Sequence, residues 1–197
     1  MGNYAEPENS DSRDIMRLDR FEFTAMNIAP RRWVQKYIEF AIFKNFLKQN
    51  GIDLSGKAIL DGGCGSGYST KLIVDKFHPS YLLALDYMPE QIRLAKKRHL
   101  NVDLKVGDLT SIDAAGVTFD AVFVFGVLHH IPEWRKALQQ ISAVLKPGGV
   151  LLVEEPRQRF IYSWEDFESG INNAKLKICG DRNWIIMDFH SYICKKE

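Results

Sequence analysis

From residue 57 onward, short apolar runs alternate with stretches of helical period. KAILD (57–61), YLLALD (81–86), VDLKVGD (102–108), FDAVFVFG (119–126) and VLLVEE (150–155) read as strands. SGYSTKLIVDKF (66–77), PEQIRLAKKRHL (89–100) and IPEWRKALQQISAVL (131–145) read as the helices between them. Pro89 opens one helix, while His78-Pro79 and Lys146-Pro147-Gly148-Gly149 close two others. Most of these strands are apolar nearly throughout, which predicts a parallel sheet with helices on both faces. After Pro156 the pattern loosens to a helix over about 163–175 and two strands near 176–186 and 189–195. Upstream, 31–49 predicts a helix stopped by Asn50-Gly51. Ten of positions 33–47 are apolar or aromatic and cover more than one face, so this helix is expected between two surfaces or against something apolar. No repeat or domain boundary is visible. The expectation is one domain over 1–197, with an N-terminal extension (1–50), a core (57–155) and a C-terminal region (156–197).

Composition narrows the class. The chain has 197 residues and 22.6 kDa, with 46% hydrophobic and 26% charged residues. These values exclude a disordered chain, a collagen and a coiled coil. The net charge of +1 shows none of the basic excess of a protein that grips duplex nucleic acid. Three scattered cysteines (Cys64, Cys179, Cys194) are too few for a disulfide framework or a zinc site, so no metal is expected. The polar, acidic N-terminus lacks the apolar run of a signal peptide, and no stretch approaches the roughly 18 apolar residues that span a bilayer. A soluble, cytoplasmic protein is the expectation.

The chemistry concentrates in LDGGCGSGYSTKL, where the first strand meets the first helix. Glycines there let the backbone turn sharply, and amides at a helix start favour an anionic group. A dinucleotide fingerprint fails, because its third small position is Tyr68. A glycine-rich turn with no ligand is the plain alternative. The spacing Asp61-x-Gly63-x-Gly65-x-Gly67 resembles motif I of the class I S-adenosylmethionine (SAM) dependent methyltransferases. Three further segments extend the likeness in order. Asp86 ends the second strand, Gly107-Asp108-Leu109 the third, and KPGGVLLVEEP enters the fifth. The resemblance covers about residues 57–155. It implies a seven-stranded Rossmann-like sheet with an antiparallel C-terminal end. It also implies SAM as cofactor, S-adenosylhomocysteine as product, and a cofactor site drawn from Asp61, Gly62, Gly63, Cys64, Gly65, Gly67, Tyr68, Asp86, Tyr87, Met88, Gly107, Asp108, Leu109, Phe125, Gly126 and Val127. In the family, the acid in the place of Asp86 takes the ribose diol, and the one in the place of Asp108 takes the adenine amine.

FGVLHHIPEWRKALQQISAVLKPGGVLLVEEP resembles the small-molecule branch, including the ubiquinone and menaquinone C-methyltransferases. The Asn/Asp-Pro-Pro-Tyr and Pro-Cys signatures of DNA methyltransferases are absent from the fourth strand's end. A small acceptor, flat or apolar, is therefore expected, without nucleic acid. The rivals are an RNA or protein methyltransferase, a non-catalytic SAM-binding subunit, and more distantly a dinucleotide oxidoreductase.

His129 and His130 follow the fourth strand and have the pKa range of a general base, with His130 slightly favoured. The bland alternative packs one under a helix and leaves the other in water. Glu154 and Glu155 are expected to be solvated at a strand end. Cys64, His190 and Tyr192 are read as packing, and Arg93, Lys96, Lys97 and Arg98 as a solvated helix face. Aromatics of the N-terminal extension (Phe21, Phe23, Trp33, Tyr37, Phe40) and of 156–170 (Phe160, Tyr162, Trp164, Phe167) are expected to roof the pocket or pack the sheet. Arg31, Arg32, Arg157 and Arg159 flank them, and residues 1–30 are expected to close as a lid.

Overall fold

The computed structural model describes residues 38–156, 163–184 and 189–197. The elements run α1 (Phe40–Gln49), β1 (Ala58–Gly62), α2 (Tyr68–Phe77), β2 (Tyr81–Asp86), α3 (Pro89–Lys96), β3 (Asp103–Val106) and β4 (Phe119–Phe125). There follow a 3-10 turn (Leu128–His130), α4 (Trp134–Val144), β5 (Leu145–Pro156), α5 (Trp164–Asn173), β6 (Leu176–Trp184) and β7 (Phe189–Lys196). The seven strands form one sheet in the order β3-β2-β1-β4-β5-β7-β6. β1 pairs in parallel with β2 and β4, β2 with β3, and β4 with β5, whereas β7 is antiparallel to both β5 and β6. The expected architecture, including its antiparallel end, is what the chain adopts. The strand order reverses between β1 and β4, so a crevice opens at their carboxyl ends, the usual ligand position in such sheets.

The strands are buried on both sides. One face packs on α4 and α5 through Leu60, Val122, Trp134, Leu138, Phe167 and Tyr192. Gly170 allows that contact, since a Cβ there would fall 2.4 Å from Trp134 Cζ3. The other face packs on α1 and α2, where Phe40 stacks on Phe125 (centroids 5.4 Å) and Phe43 and Phe77 reach Phe125 and Phe123. Burying each phenylalanine contributes about 1.5–3 kcal/mol. Within its described part, α1 buries one stripe (Phe40, Phe43, Phe46, Leu47) and exposes Ala41, Lys44, Asn45 and Lys48. It is therefore an ordinary amphipathic cover, and Phe40 belongs to the core instead of a pocket roof.

Several boundaries move. α3 stops at Lys96, and His99 turns the chain at φ +51°. α4 begins at Trp134, ahead of which Ile131 is extended (φ −104°, ψ 109°) at the end of the 3-10 turn. β5 begins at Leu145, ahead of the predicted 150, because Lys146–Gly149 forms an irregularity inside the β4–β5 pairing. A Cβ on Gly149 would lie 3.0–3.1 Å from the carbonyl oxygens of Lys146, Asp120 and Phe119, which only glycine avoids.

Candidate active site

The loop after β1 is tied to β2 through the backbone. The N–H groups of Gly63 and Cys64 both donate to Leu85 O at 2.8 Å, and Gly67 N–H donates to Cys64 O at 2.9 Å. Gly65 N–H donates to Asp86 Oδ2 at 2.8 Å, while Asp86 Oδ1 accepts Met88 N–H at 2.9 Å. These four loop amides are thus engaged within the protein, and the charge the loop turns to the cavity is the Asp86 carboxylate. Burial raises its pKa, and the two amide bonds work against that. The loop is also held from the segment just after α3: Arg98 Nε donates to Ser66 O at 2.6 Å, with its guanidinium 5.6 Å from the Tyr68 ring centroid. Arg98 is therefore a staple of the loop and leaves the solvated basic face expected for that helix.

Asp61 sits behind the loop at 1% exposure. Ser69 Oγ and Thr70 Oγ1, both on α2, donate to its Oδ2 at 2.8 and 2.7 Å. Oδ1 is buried with no hydrogen-bond partner among the described residues. Desolvation outweighs the two hydroxyl bonds and lifts the carboxyl from 3.8 to about 6. The folded chain then holds this proton more tightly than the unfolded chain. The group's contribution to stability is full below pH 3.8 and is lost as pH rises through about 6. Asp61→Asn cannot titrate. In urea unfolding, its stability relative to the wild type should rise by about 1 kcal/mol between pH 5 and pH 7.5. A difference constant with pH would contradict the shift.

A cavity opens above these groups at the carboxyl ends of β1, β2 and β4. Its wall includes Gly63, Cys64, Gly65, Tyr68, Asp86, Tyr87, Met88, Gly107, Asp108, Leu109, Phe125, Gly126, Val127 and His130, all expected from the sequence. Asp61, Gly62 and Gly67 lie behind it. A Cβ on Gly62 would meet Leu109 Cδ2 at 3.0 Å, and one on Gly67 would meet Ala95 Cβ at 2.9 Å, so both glycines serve close packing. Burial pushes the Cys64 thiol well up, which keeps it protonated and supports packing over nucleophilic chemistry. Ser66, Ser69, Gln91 and Ile131 complete the wall and are not among the residues expected from the sequence. Gln91 had a signal, a lone amide on the otherwise apolar inner face of α3.

The two histidines separate. His130 lines the cavity. His129 is turned beneath it, with Nδ1 2.7 Å from Glu155 Oε2 and its ring centroid 3.8 Å from that of His130. Glu154 and Glu155 are not solvated but 1% and 0% exposed, because β7 covers the end of β5. Glu154 Oε2 accepts Ser191 Oγ at 2.9 Å. His190 bridges Asp181 (3.0 Å) and the Tyr192 hydroxyl (3.1 Å), a structural network away from the cavity wall, and burial raises the Tyr192 pKa. Trp164 and Phe167 pack against His190, Tyr192 and Trp134 and do not roof the site. The other expected roof aromatics, the four flanking arginines and the 1–30 lid lie outside the described residues. Among the described residues there is no metal-binding cluster, and no helix is long and apolar enough to cross a membrane.

Residues 59–149 match a family model described as "Methyltransferase domain". The match covers less than half of the chain and marks its core as similar to that family. An M. smegmatis protein named a probable S-adenosylmethionine-dependent methyltransferase (Mycolicibacterium smegmatis) is 31% identical over 53% of this chain and 40% of its own length. A fatty-acid O-methyltransferase of the same organism is 28% identical over 66% of this chain and 47% of its own length. The chain thus spans less than half the length of these curated relatives. The solved structure of SAM-bound CalS10, an amino pentose methyltransferase from Micromonospora echinaspora, superposes with a TM-score of 0.72 at 18% identity, covering 92% of this chain and 98% of that one. The fold is therefore the Rossmann-like one of these methyltransferases, and the named relatives point to SAM as the cofactor.

The cavity fits that cofactor. Gln91 Oε1 is a buried acceptor on its wall with no partner among the described residues, so a donor from a ligand would satisfy it. Gly65, at φ +53°, faces open space where a Cβ would intrude. Each Asp86 oxygen accepts one amide and keeps a lone pair, the pattern a vicinal diol requires.

Proposed function

We propose that the chain transfers the methyl group of SAM to a small, apolar acceptor, with His130 as the base that takes the acceptor's proton. The observation that carries this reading is the placement of His130. Among the described residues it is the one imidazole lining a cavity otherwise walled by the glycine loop, Asp86, Asp108 and apolar side chains such as Leu109, Phe125, Val127 and Ile131. SAM supplies the electrophilic methyl group. Asp86 and Gln91 bind, Val127 and Ile131 exclude water, and His130 stands where a neutral imidazole can accept a proton near pH 7. The relative named for fatty-acid methylation and the neighbour named for amino pentose methylation support a small acceptor.

Incubation of the chain with methyl-labelled SAM and a cell extract should place label in low-mass, solvent-extractable product. His130→Asn should lower that transfer about 10²-fold or more while leaving S-adenosylhomocysteine affinity within a few fold. Label found on RNA or protein would refute the acceptor class, and undiminished transfer by the variant would refute the base.

A further inference from the structure

Glu155 does not line the cavity, yet four donors converge on it. Its Oε1 accepts the N–H groups of Val127 (3.1 Å) and Leu128 (2.8 Å). Its Oε2 accepts the N–H of His129 (3.3 Å) and stands 2.7 Å from His129 Nδ1. The carboxylate is 0% exposed. An ionised carboxylate has about four lone-pair sites, and four donors fill them. That satisfaction is what lets an anion stand in a dry interior. An ionised carboxylate can only accept, so His129 Nδ1 must carry the proton in this pair.

The segment so held forms the cavity wall after β4. Gly126 enters the turn at φ +63°, its N–H donating to Glu154 O at 2.7 Å. Val127 and His130 then face the cavity, and His129 lies between the Glu155 carboxylate and the His130 ring. We propose that Glu155 is a positioning residue. It fixes the backbone of 127–129 and, by holding His129 as its Nδ1–H form, sets the ring against which His130 is packed. The inference rests on the proposed reading of the cavity as the cofactor and acceptor site.

Histidine ¹⁵N spectra of the wild-type full chain, with S-adenosylhomocysteine titrations, test it. In the wild type, His129 Nδ1 carries a proton, and the amides of 127–129 exchange slowly. Glu155→Gln offers one acceptor oxygen for four donors, and its amide donates where an acceptor stood. His129 should switch to its Nε2–H form, and affinity for S-adenosylhomocysteine should fall about tenfold. A Glu155→Gln chain that only unfolds more easily, with the His129 tautomer and the affinity unchanged, would overturn the proposal. If that variant does not fold, the wild-type spectrum decides, since an unprotonated His129 Nδ1 overturns it too. A wild-type chain that binds no S-adenosylhomocysteine would sink the proposed function, while the same spectra would still judge the role of Glu155.

Discussion

Asp86→Ala should bind S-adenosylhomocysteine at least about a hundredfold more weakly than the wild type. The loss has two sources that act at one point. Under the proposed function the carboxylate accepts the ribose diol, and it also holds Gly65 N–H at 2.8 Å and Met88 N–H at 2.9 Å. Removing it leaves both amides without their partner and releases the glycine loop from the end of β2. Each lost buried hydrogen bond costs about 1–3 kcal/mol, and every 1.4 kcal/mol is tenfold in affinity. Asp86→Asn keeps one acceptor oxygen and should fall between the two. Calorimetric titration of the three chains checks the order, and equal affinities would remove Asp86 from the site.

Gly63→Ala should destabilise the fold by about 2–4 kcal/mol, combining the backbone strain of a positive φ with overpacking. Gly63 has φ +75°, and a Cβ there would lie 2.3 Å from Val127 Cγ2 and 2.8 Å from Cγ1. Val127 has little freedom to retreat, because its N–H is bound to Glu155. Gly65→Ala is the informative contrast. It carries the same kind of strain at φ +53° but meets nothing within 4 Å. Its stability loss should be near 1 kcal/mol, while its Cβ enters the cavity and weakens cofactor binding. Urea unfolding and titration of the pair should separate the two effects. Equal stability losses would show that the Val127 contact is not limiting.

The strands were legible because burial on both faces leaves an apolar run that needs no tertiary knowledge. The glycine loop was legible because its conformation demands glycine at Gly63 and Gly65. The string did not reveal which way each residue faces. Asp61, Gly62 and Gly67 share the motif with Gly63 and Gly65, yet they point into the packing behind the loop. His129 and His130 are neighbours in sequence, and only the 3-10 turn sends one to the cavity and the other to Glu155. The acidic pair Glu154-Glu155 read as solvated because its burial comes from β7 and from amides 26–28 residues away. Such partners leave no local pattern. Arg98 was hidden similarly, since its acceptor Ser66 O is a backbone atom 32 residues earlier.

Calorimetric titration of the wild-type chain with S-adenosylhomocysteine, with NAD as the control, decides whether the cavity is a SAM site. The wild-type chain should bind S-adenosylhomocysteine at one site with micromolar affinity, about −8 kcal/mol, and should not bind NAD. No binding of S-adenosylhomocysteine at millimolar concentration, or equal binding of NAD, would contradict that reading.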